Sequence, residues 1–292
     1  MPLFEPLEQS LFAWLSVAAL FGLVTGSFLN VVIHRLPRMM ERDWRRECRE
    51  LAGETAPADG GDEARFDLVQ PASHCPRCGH GIAAHDNIPL LSYVWLGGRC
   101  RHCRAPISLR YPAIELLTAV LTVVVAWRFG VTWQAAAAIP LTWALIALSF
   151  IDLDHKLLPD LITLPLIWAG LVVNLGGLYT DLPSAVVGAV AGYLSLWLVY
   201  HLFRLLTGKR GMGYGDFKLL AAFGAWLGWQ LLPVVVLLSS LVGAVTGLGM
   251  MLLAGHRRGT PIPFGPFLAA AGWTALLWGD SLVRAYLDWA VP

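Results

Sequence analysis

Two aspartates are the residues of this sequence best suited to acid–base chemistry. Asp152 follows the unbroken apolar run "ALIALSFI", and Asp216 closes the stretch "GMGYGD" just before another apolar run. Ionisable side chains at membrane depth are costly and mark functional sites. When two carboxyl groups share a site, one retains its proton while the other is ionised. Such a pair can activate a water and protonate a leaving amine, so we expect aspartic-type peptide hydrolysis.

Glycines surround the second aspartate. Gly211, Gly213 and Gly215 leave the backbone free to adopt positive φ and to lie close to an extended substrate. From spacing alone, Asp216 is equally well explained as the N-cap of the following helix. Asp160, which follows a proline and precedes an apolar run, is interpreted as the N-cap of its own helix.

Four cysteines form two C-x-x-C pairs, which predict a zinc site. Each pair offers two thiolates from one tight turn, and two such turns complete a tetrahedron. Four free thiols or a redox pair are the alternatives, and nearby histidines are possible substitute ligands. Four protein ligands leave no open position for water, so the predicted role of the metal is structural. The predicted ligands are Cys75, Cys78, Cys100 and Cys103.

The elements that hold these residues are membrane helices. The chain of 292 residues is 57% hydrophobic and only 14% charged, whereas soluble domains carry about 25% charged residues. The net charge of +1 indicates no partner class, and we expect no nucleic-acid partner. The fold class is therefore an all-α polytopic membrane protein in contact with lipid. Eight spans are predicted at 11–33, 111–128, 132–151, 161–180, 183–203, 217–230, 232–254 and 264–286.

The distribution of basic residues predicts the orientation of the spans. Residues 34–110 carry 12 of the 21 Lys and Arg, which places this loop in the cytosol. Threading the remaining spans from there puts Asp152 and Asp216 together at the cytosolic border. Two G-x-x-x-G matches, 22–26 and 243–247, favour close helix contacts.

Several segments together resemble those of bacterial type 4 prepilin leader peptidases/N-methyltransferases, membrane aspartic proteases of the G-x-G-D class. Asp152 lies in the segment similar to the one with the first catalytic aspartate, and Gly213, Gly215 and Asp216 fall on the G-x-G-D motif. The segments that resemble the family are "GSFLNVVIHRLP" (26–37), "SHCPRCGHGIAAHDNIPLLSYVWLGGRCRHCRAPISLRYPAIELLTA" (73–119), "IDLDHKLLPDLITLP" (151–165), "GMGYGDFKLLAAFGAW" (211–226) and "IPFGPFLAAAG" (262–272).

The resemblance implies a substrate and a second activity. Members cut a short basic leader from prepilins and from pilin-like subunits of type II secretion systems, at the cytosolic face of the bacterial inner membrane and commonly after a glycine. Many then methylate the new N-terminal amine with S-adenosylmethionine. No G-x-G-x-x-G stretch follows a strand pattern, so the residues that bind this cofactor are not predicted. The expected organisation is a first transmembrane helix (1–33), a cytosolic zinc-binding domain (34–110) and a seven-helix membrane peptidase domain (111–292).

Two questions stay open at this stage. Glu115, near the start of the second span, is interpreted either as a ligand of the new ammonium or the methyl donor, or as an interfacial charge near Arg110. A transporter that couples ions through Asp152 and Asp216 is the competing function class, although it favours carboxylates at the bilayer midplane. A zinc-bearing membrane scaffold without catalysis is a third reading.

Overall fold

A computed structural model describes residues 9–53, 65–209, 211–253 and 262–290. Eight main helices lie within these ranges, at the positions of the eight predicted spans, and the only β-pairings among the described residues are two isolated bridges. The helices are α1 (Leu11–Leu51), α2 (Arg110–Phe129), α3 (Trp133–His155), α4 (Asp160–Val173), α5 (Leu182–Thr207), α6 (Tyr214–Leu227), α7 (Leu232–Leu253) and α8 (Gly265–Ala290).

Five of these helices are long and apolar enough to cross a membrane. They are α1, α2, α3, α5 and the segment Trp229–Leu252 that contains α7. The helix α4 is a shorter apolar helix, and α6 spans only 14 residues, or about 21 Å. The all-α polytopic fold class is confirmed.

The helix α1 differs from the prediction at its C-terminal end. The first span was predicted to end at residue 33, but the helix continues through Pro37 to Leu51. Beyond the proline, Glu41 pairs with Arg45 four residues later (2.6 Å), and Asp43 pairs with Arg46 three residues later (2.7 Å). Ion pairs at these spacings stabilise a helix. Residues 54–64, within the predicted cytosolic domain 34–110, lie outside the described residues.

The chain divides into two compact units, residues 1–131 and 132–292. In the first unit, α1 packs directly on α2 through the glycines of the predicted G-x-x-x-G stretch. A Cβ atom on Gly22 would lie 2.6 Å from Ala119 Cα, and one on Gly26 would lie 2.7 Å from Glu115 Cα. Only glycine permits this backbone approach, so the close contact predicted for residues 22–26 is confirmed.

In the second unit, α6 forms the centre. Eleven of its residues, from Asp216 to Leu227, are buried, which explains how a helix too short to cross a bilayer is accommodated. Its backbone lies against α5 closely enough that a Cβ atom on Gly192 would be 2.6 Å from Leu220 O. The second G-x-x-x-G match behaves differently, because Gly243 and Gly247 face the side chains of Phe267 and Ile262 at ordinary contact distances of 3.4 Å.

Candidate active site and candidate metal centre

Asp152 lies in the last turn of α3 with only 6% of its surface exposed. The helix ends three residues later at His155, and the C-cap residue Lys156 adopts the left-handed conformation (φ 54°). The Oδ2 atom of Asp152 accepts a hydrogen bond from the Gly265 N–H at 2.9 Å, at the first residue of α8. A Cβ atom on Gly265 would lie 2.7 Å from that oxygen, so the backbone of α8 reaches the carboxylate because residue 265 has no side chain.

Asp216 is the third residue of α6 and is 7% exposed. Its Oδ2 atom accepts the Gly213 N–H at 3.2 Å, while its backbone N–H donates to Gly213 O at 3.3 Å. The N-cap residue is therefore Gly213, and the Asp216 carboxylate accepts the backbone N–H of this N-cap residue. Its other oxygen, Oδ1, is buried and has no hydrogen-bond partner among the described residues. One oxygen thus holds the loop, and the other remains available.

The structure brings the two predicted aspartates together. Leu158 lies beside a neighbour of each aspartate. A Cβ atom on Gly215, next to Asp216, would lie 2.6 Å from Leu158 Cβ, and one on Gly265, whose N–H bonds to Asp152, would lie 3.1 Å from Leu158 Cδ2. The site therefore consists of two buried carboxyl groups, two backbone N–H donors and an apolar wall.

Asp160 does not act as the predicted N-cap, and that interpretation is wrong. It is the first residue of α4, Pro159 occupies the N-cap position, and no side chain caps this helix. The Asp160 carboxylate instead forms an ion pair with Lys218, whose Nζ donates to both carboxylate oxygens at 2.6 Å. Lys218 follows Asp216 by two residues, so this ion pair links the start of α4 to the start of α6.

The sequence did not indicate the roles of Gly265, Leu158 and Lys218. The stretch "IPFGPFLAAAG" was noticed only as a resemblance, and nothing in its spacing shows that a glycine N–H reaches a carboxylate 113 residues earlier. The one usable signal is the glycine within "PFGP", because a glycine that begins a helix without an N-cap side chain suggests a close contact.

The four predicted cysteines also come together, within the first unit. All four Sγ atoms lie within 4.8 Å of one another, and Cys75 Sγ and Cys103 Sγ are 3.8 Å apart. A tetrahedron with metal–sulfur bonds of about 2.3 Å has edges of about 3.8 Å, so this spacing fits a tetrahedral ion. The cluster could hold a metal ion.

The two C-x-x-C turns share one backbone design. In each, the first cysteine N–H donates to the carbonyl five residues later at 2.9 Å, and the residue after the second cysteine adopts a left-handed conformation. That residue is Gly79 (φ 69°) in one turn and Arg104 (φ 58°) in the other. Backbone N–H groups of Cys78 and Arg77 lower the pKa of the Cys75 thiol to about 6, whereas burial and the neighbouring cysteines raise the pKa of the Cys78 thiol to about 11. Of these two thiols, Cys75 therefore loses its proton first.

Two contacts fix this module. The Arg35 guanidinium, buried in α1, donates to the carbonyls of Asp67 (2.9 Å) and Pro71 (2.6 Å). Arg101, in the second turn, donates through Nε to Asp86 Oδ2 at 2.7 Å, and this bond holds the pKa of the Asp86 carboxyl below its usual range.

A helical bundle with a buried carboxylate pair, joined to a four-cysteine module, defines the class: a multi-pass membrane protein with an acid–base site enclosed among its helices. Comparison with known proteins narrows the class. Residues 20–129 match the bacterial peptidase A24 N-terminal domain, and residues 139–248 match the type IV leader peptidase family. The chain belongs to the type IV leader peptidase family.

Several known proteins are similar to this chain over nearly its whole length. A prepilin leader peptidase/N-methyltransferase of Pseudomonas aeruginosa is 57% identical over 291 residues, which is 99% of each chain. Proteins of the same name from Aeromonas salmonicida (62% over 277 residues; 94% of this chain, 95% of the relative) and Burkholderia pseudomallei (52% over 265 residues; 91% and 85%) are also similar. No solved structure matches the chain.

Proposed function

We propose that this chain is a membrane aspartic endopeptidase that removes the short basic leader from type 4 prepilins and from pilin-like type II secretion subunits. The observation that carries the proposal is the buried pair Asp152 and Asp216, which lies in a chain whose relatives are named prepilin leader peptidase/N-methyltransferase. The relatives disfavour the ion-transporter interpretation, since none of those named here is a transporter.

The hydrolysis would use the free oxygen of Asp216. One carboxyl group of the pair is ionised and takes a proton from a water held between them, while the other is protonated and donates to the leaving amine. The bonds from Gly265 and Gly213 each occupy an Oδ2 atom, so both side chains are oriented before substrate arrives. Asp216 Oδ1 is the acceptor that lacks a partner, which fits a site for that water.

The distribution of charge supports a cytosolic active site in the bacterial inner membrane. Most Lys and Arg residues lie in residues 34–110 and in the short loops on the same side as Asp152 and Asp216. A basic leader that stays in the cytosol and an apolar helix that stays in the bilayer would present the scissile bond at this border.

The test replaces each acid with its isosteric amide. Asp152→Asn or Asp216→Asn should reduce leader removal to below about 1% of the wild-type rate, since acid–base groups contribute about 10²–10⁴-fold. Asp154→Asn, an exposed aspartate two residues away from Asp152, is the matched control and should cleave normally. The measurement is the mass of a prepilin incubated with purified full-length protein, and full cleavage by either Asn variant would refute the carboxylate-pair mechanism.

The same mechanism predicts a bell-shaped dependence of cleavage rate on pH. Activity requires one ionised and one protonated carboxyl group, so it should fall when both groups lose their protons and also when both are protonated. Initial rates across pH 4–9 would reveal the two limbs. A rate that rises monotonically to pH 9 contradicts a shared proton.

The four-cysteine cluster would hold one Zn²⁺ in a structural role. The four Sγ atoms supply all ligands of a tetrahedral ion, and a small module with little apolar core gains its stability from such an ion. Metal analysis should find about one zinc per purified chain. Cys75→Ser combined with Cys78→Ser should lose it, whereas Cys48→Ser, at an exposed cysteine outside the cluster, should retain it.

A second activity, S-adenosylmethionine-dependent N-methylation of the new N-terminus, completes the proposed function. Its support is the double name of the relatives. In the mass assay, methylation adds the mass of one methyl group to the cleaved product, only when the methyl donor is present. A product that never gains this mass rejects methylation while leaving the peptidase proposal intact.

A further inference from the structure

Among the described residues, one buried carboxylate lies outside the aspartate pair. Glu115, on α2, is 9% exposed and faces α1 at the position where Gly26 brings the two helices together. Its Oε2 atom accepts the Leu90 N–H at 2.9 Å, and the Ser27 hydroxyl also donates to it. The donors that hold the Glu115 carboxylate, the Leu90 N–H and the Ser27 hydroxyl, are both neutral.

Within the described part of the first unit, no cation balances the Glu115 carboxylate. The groups that face it are Gly26 and Ser27 of α1 and the Leu90 backbone, and Asn30, one turn further along α1, is a neutral amide that donates to Tyr111 O at 3.2 Å. In the described part of the first unit, no Lys, Arg or His forms an ion pair with Glu115. A carboxylate can accept about four hydrogen bonds, so two neutral donors leave acceptor capacity unused.

The donor opposite Glu115 is held in a strained backbone conformation. Leu90 has φ 59° and ψ −48°, and the Leu91 N–H donates to Pro89 O at 2.6 Å, which together make a γ-turn of the rare form with positive φ. Such conformations are costly for a residue with a side chain and concentrate at functional sites. The turn aims the Leu90 N–H at the carboxylate.

An exposed apolar ridge follows the turn directly. The single-turn helix Leu91–Trp95 presents Leu91, Val94 and Trp95, which are three and four residues apart and all exposed. A carboxylate without a counter-ion beside an apolar ridge matches a ligand with a positive end and an apolar body. The cleaved pilin has this chemistry, because its new N-terminal ammonium begins an apolar helix.

We infer that Glu115, with Ser27 and the Leu90 turn, binds the new N-terminal ammonium of the cleaved substrate and accepts its proton for methylation. The inference rests on the proposed function. The ammonium gives one proton to the carboxylate, the neutral amine nitrogen attacks the methyl carbon of a sulfonium donor, and the carbon–sulfur bond breaks. A neutral thioether leaves, and the product is a secondary ammonium. Glu115 is then the catalytic base, and Ser27 orients it.

The test uses a pre-cleaved pilin peptide, so that methylation is measured separately from cleavage. Glu115→Gln keeps the shape and removes the charge, and at pH 7 its methylation rate should fall at least tenfold. Because a free N-terminal amine has a pKa of about 8, the variant should regain up to about tenfold between pH 7 and pH 9, a rescue that a structural role would not produce. Trp95→Ser should raise KM for the peptide with little change in kcat.

Controls separate this inference from the proposed function. Thr118→Val, one turn further along α2, removes a buried hydroxyl that bonds only to its own helix (Ile114 O, 2.7 Å) and should methylate normally. Glu115→Gln should still remove the leader from a full prepilin. If wild type cleaves and methylates and the Gln variant methylates equally at pH 7, the inference fails alone; if wild type does neither, the proposed function fails.

Another result would also overturn the inference: weaker binding of S-adenosylmethionine by Glu115→Gln together with lost methylation at every pH, which would make Glu115 part of the donor site.

A second variant covers the case in which Glu115→Gln fails to fold. If the Gln variant also loses cleavage, Ser27→Ala becomes the deciding variant. Normal methylation by Ser27→Ala would then refute the inference, and a loss of methylation with cleavage retained would support it.

Discussion

At the residue scale, the two oxygens of Asp216 have different surroundings. Oδ2 accepts the Gly213 N–H at the start of α6, whereas Oδ1 is buried without a partner among the described residues. The N-cap interpretation of Asp216 is therefore wrong, because Gly213 holds the N-cap position and Asp216 is the third residue of the helix. One carboxylate oxygen is bound to the helix start, and the other has no partner among the described residues.

Gly265 provides a prediction at the same scale. In Gly265→Ala, the new Cβ atom would lie 2.7 Å from Asp152 Oδ2 and would push the carboxylate out of place. Since a displacement of about 1 Å can lower a rate by about 10²-fold, we expect a loss of that size in leader cleavage, measured by initial rates. Gly249→Ala, where a Cβ atom meets nothing within 4 Å, is the matched control. Equal rates in the two variants would show that the Gly265 contact is dispensable.

At the element scale, the positions of the eight helices were predictable, and their ends and contacts were less so. An apolar run of about 20 residues predicts which part of the chain crosses the membrane. The end of α1 depends instead on backbone hydrogen bonds, which continue through the polar residues to Leu51. The ion pair of Asp160 was equally invisible, because its partner Lys218 lies 58 residues later. The aspartates and cysteines were predictable because their spacing carries chemistry directly.

The Asp160–Lys218 pair should position α6 and thus Asp216. Lys218→Met or Asp160→Asn should slow cleavage by about fivefold, which corresponds to the roughly 1 kcal/mol of a partly exposed ion pair. The exchanged variant Asp160→Lys with Lys218→Asp should recover part of the loss, as measured by initial rates at low ionic strength. If the loss of activation free energy in the exchanged variant equals the sum of the losses in the two single variants, the pair has no positioning role.

At the scale of the whole molecule, two units divide the described chemistry. The four-cysteine cluster and Glu115 belong to residues 1–131, and both aspartates belong to residues 132–292. Variants that impair only the proposed methylation are thus expected within residues 1–131, and variants that impair only the proposed cleavage within residues 132–292. This division is consistent with two family models that match separate parts of the chain.

The proposed orientation in the inner membrane predicts a labelling pattern. Cys48 is exposed on the polar part of α1 and should react with a membrane-impermeant maleimide only after the cells are permeabilised. Leu175→Cys in a Cys48→Ser background places a thiol at an exposed position after α4, on the opposite side, and should react in intact spheroplasts. Mass spectrometry of labelled peptides identifies each site. The reverse pattern would invert the orientation and place the aspartates outside the cytosol.

The paired design of the two C-x-x-C turns also constrains the order of events during synthesis. Each turn contributes two ligands, so a metal ion cannot be fully bound until Cys103 has left the ribosome, 28 residues after Cys75. At about 5–20 residues per second, this interval lasts roughly one to six seconds. The helix α2 begins at Arg110, only a few residues later. Under the proposed zinc site, metal capture and the insertion of α2 are therefore neighbouring steps in biogenesis.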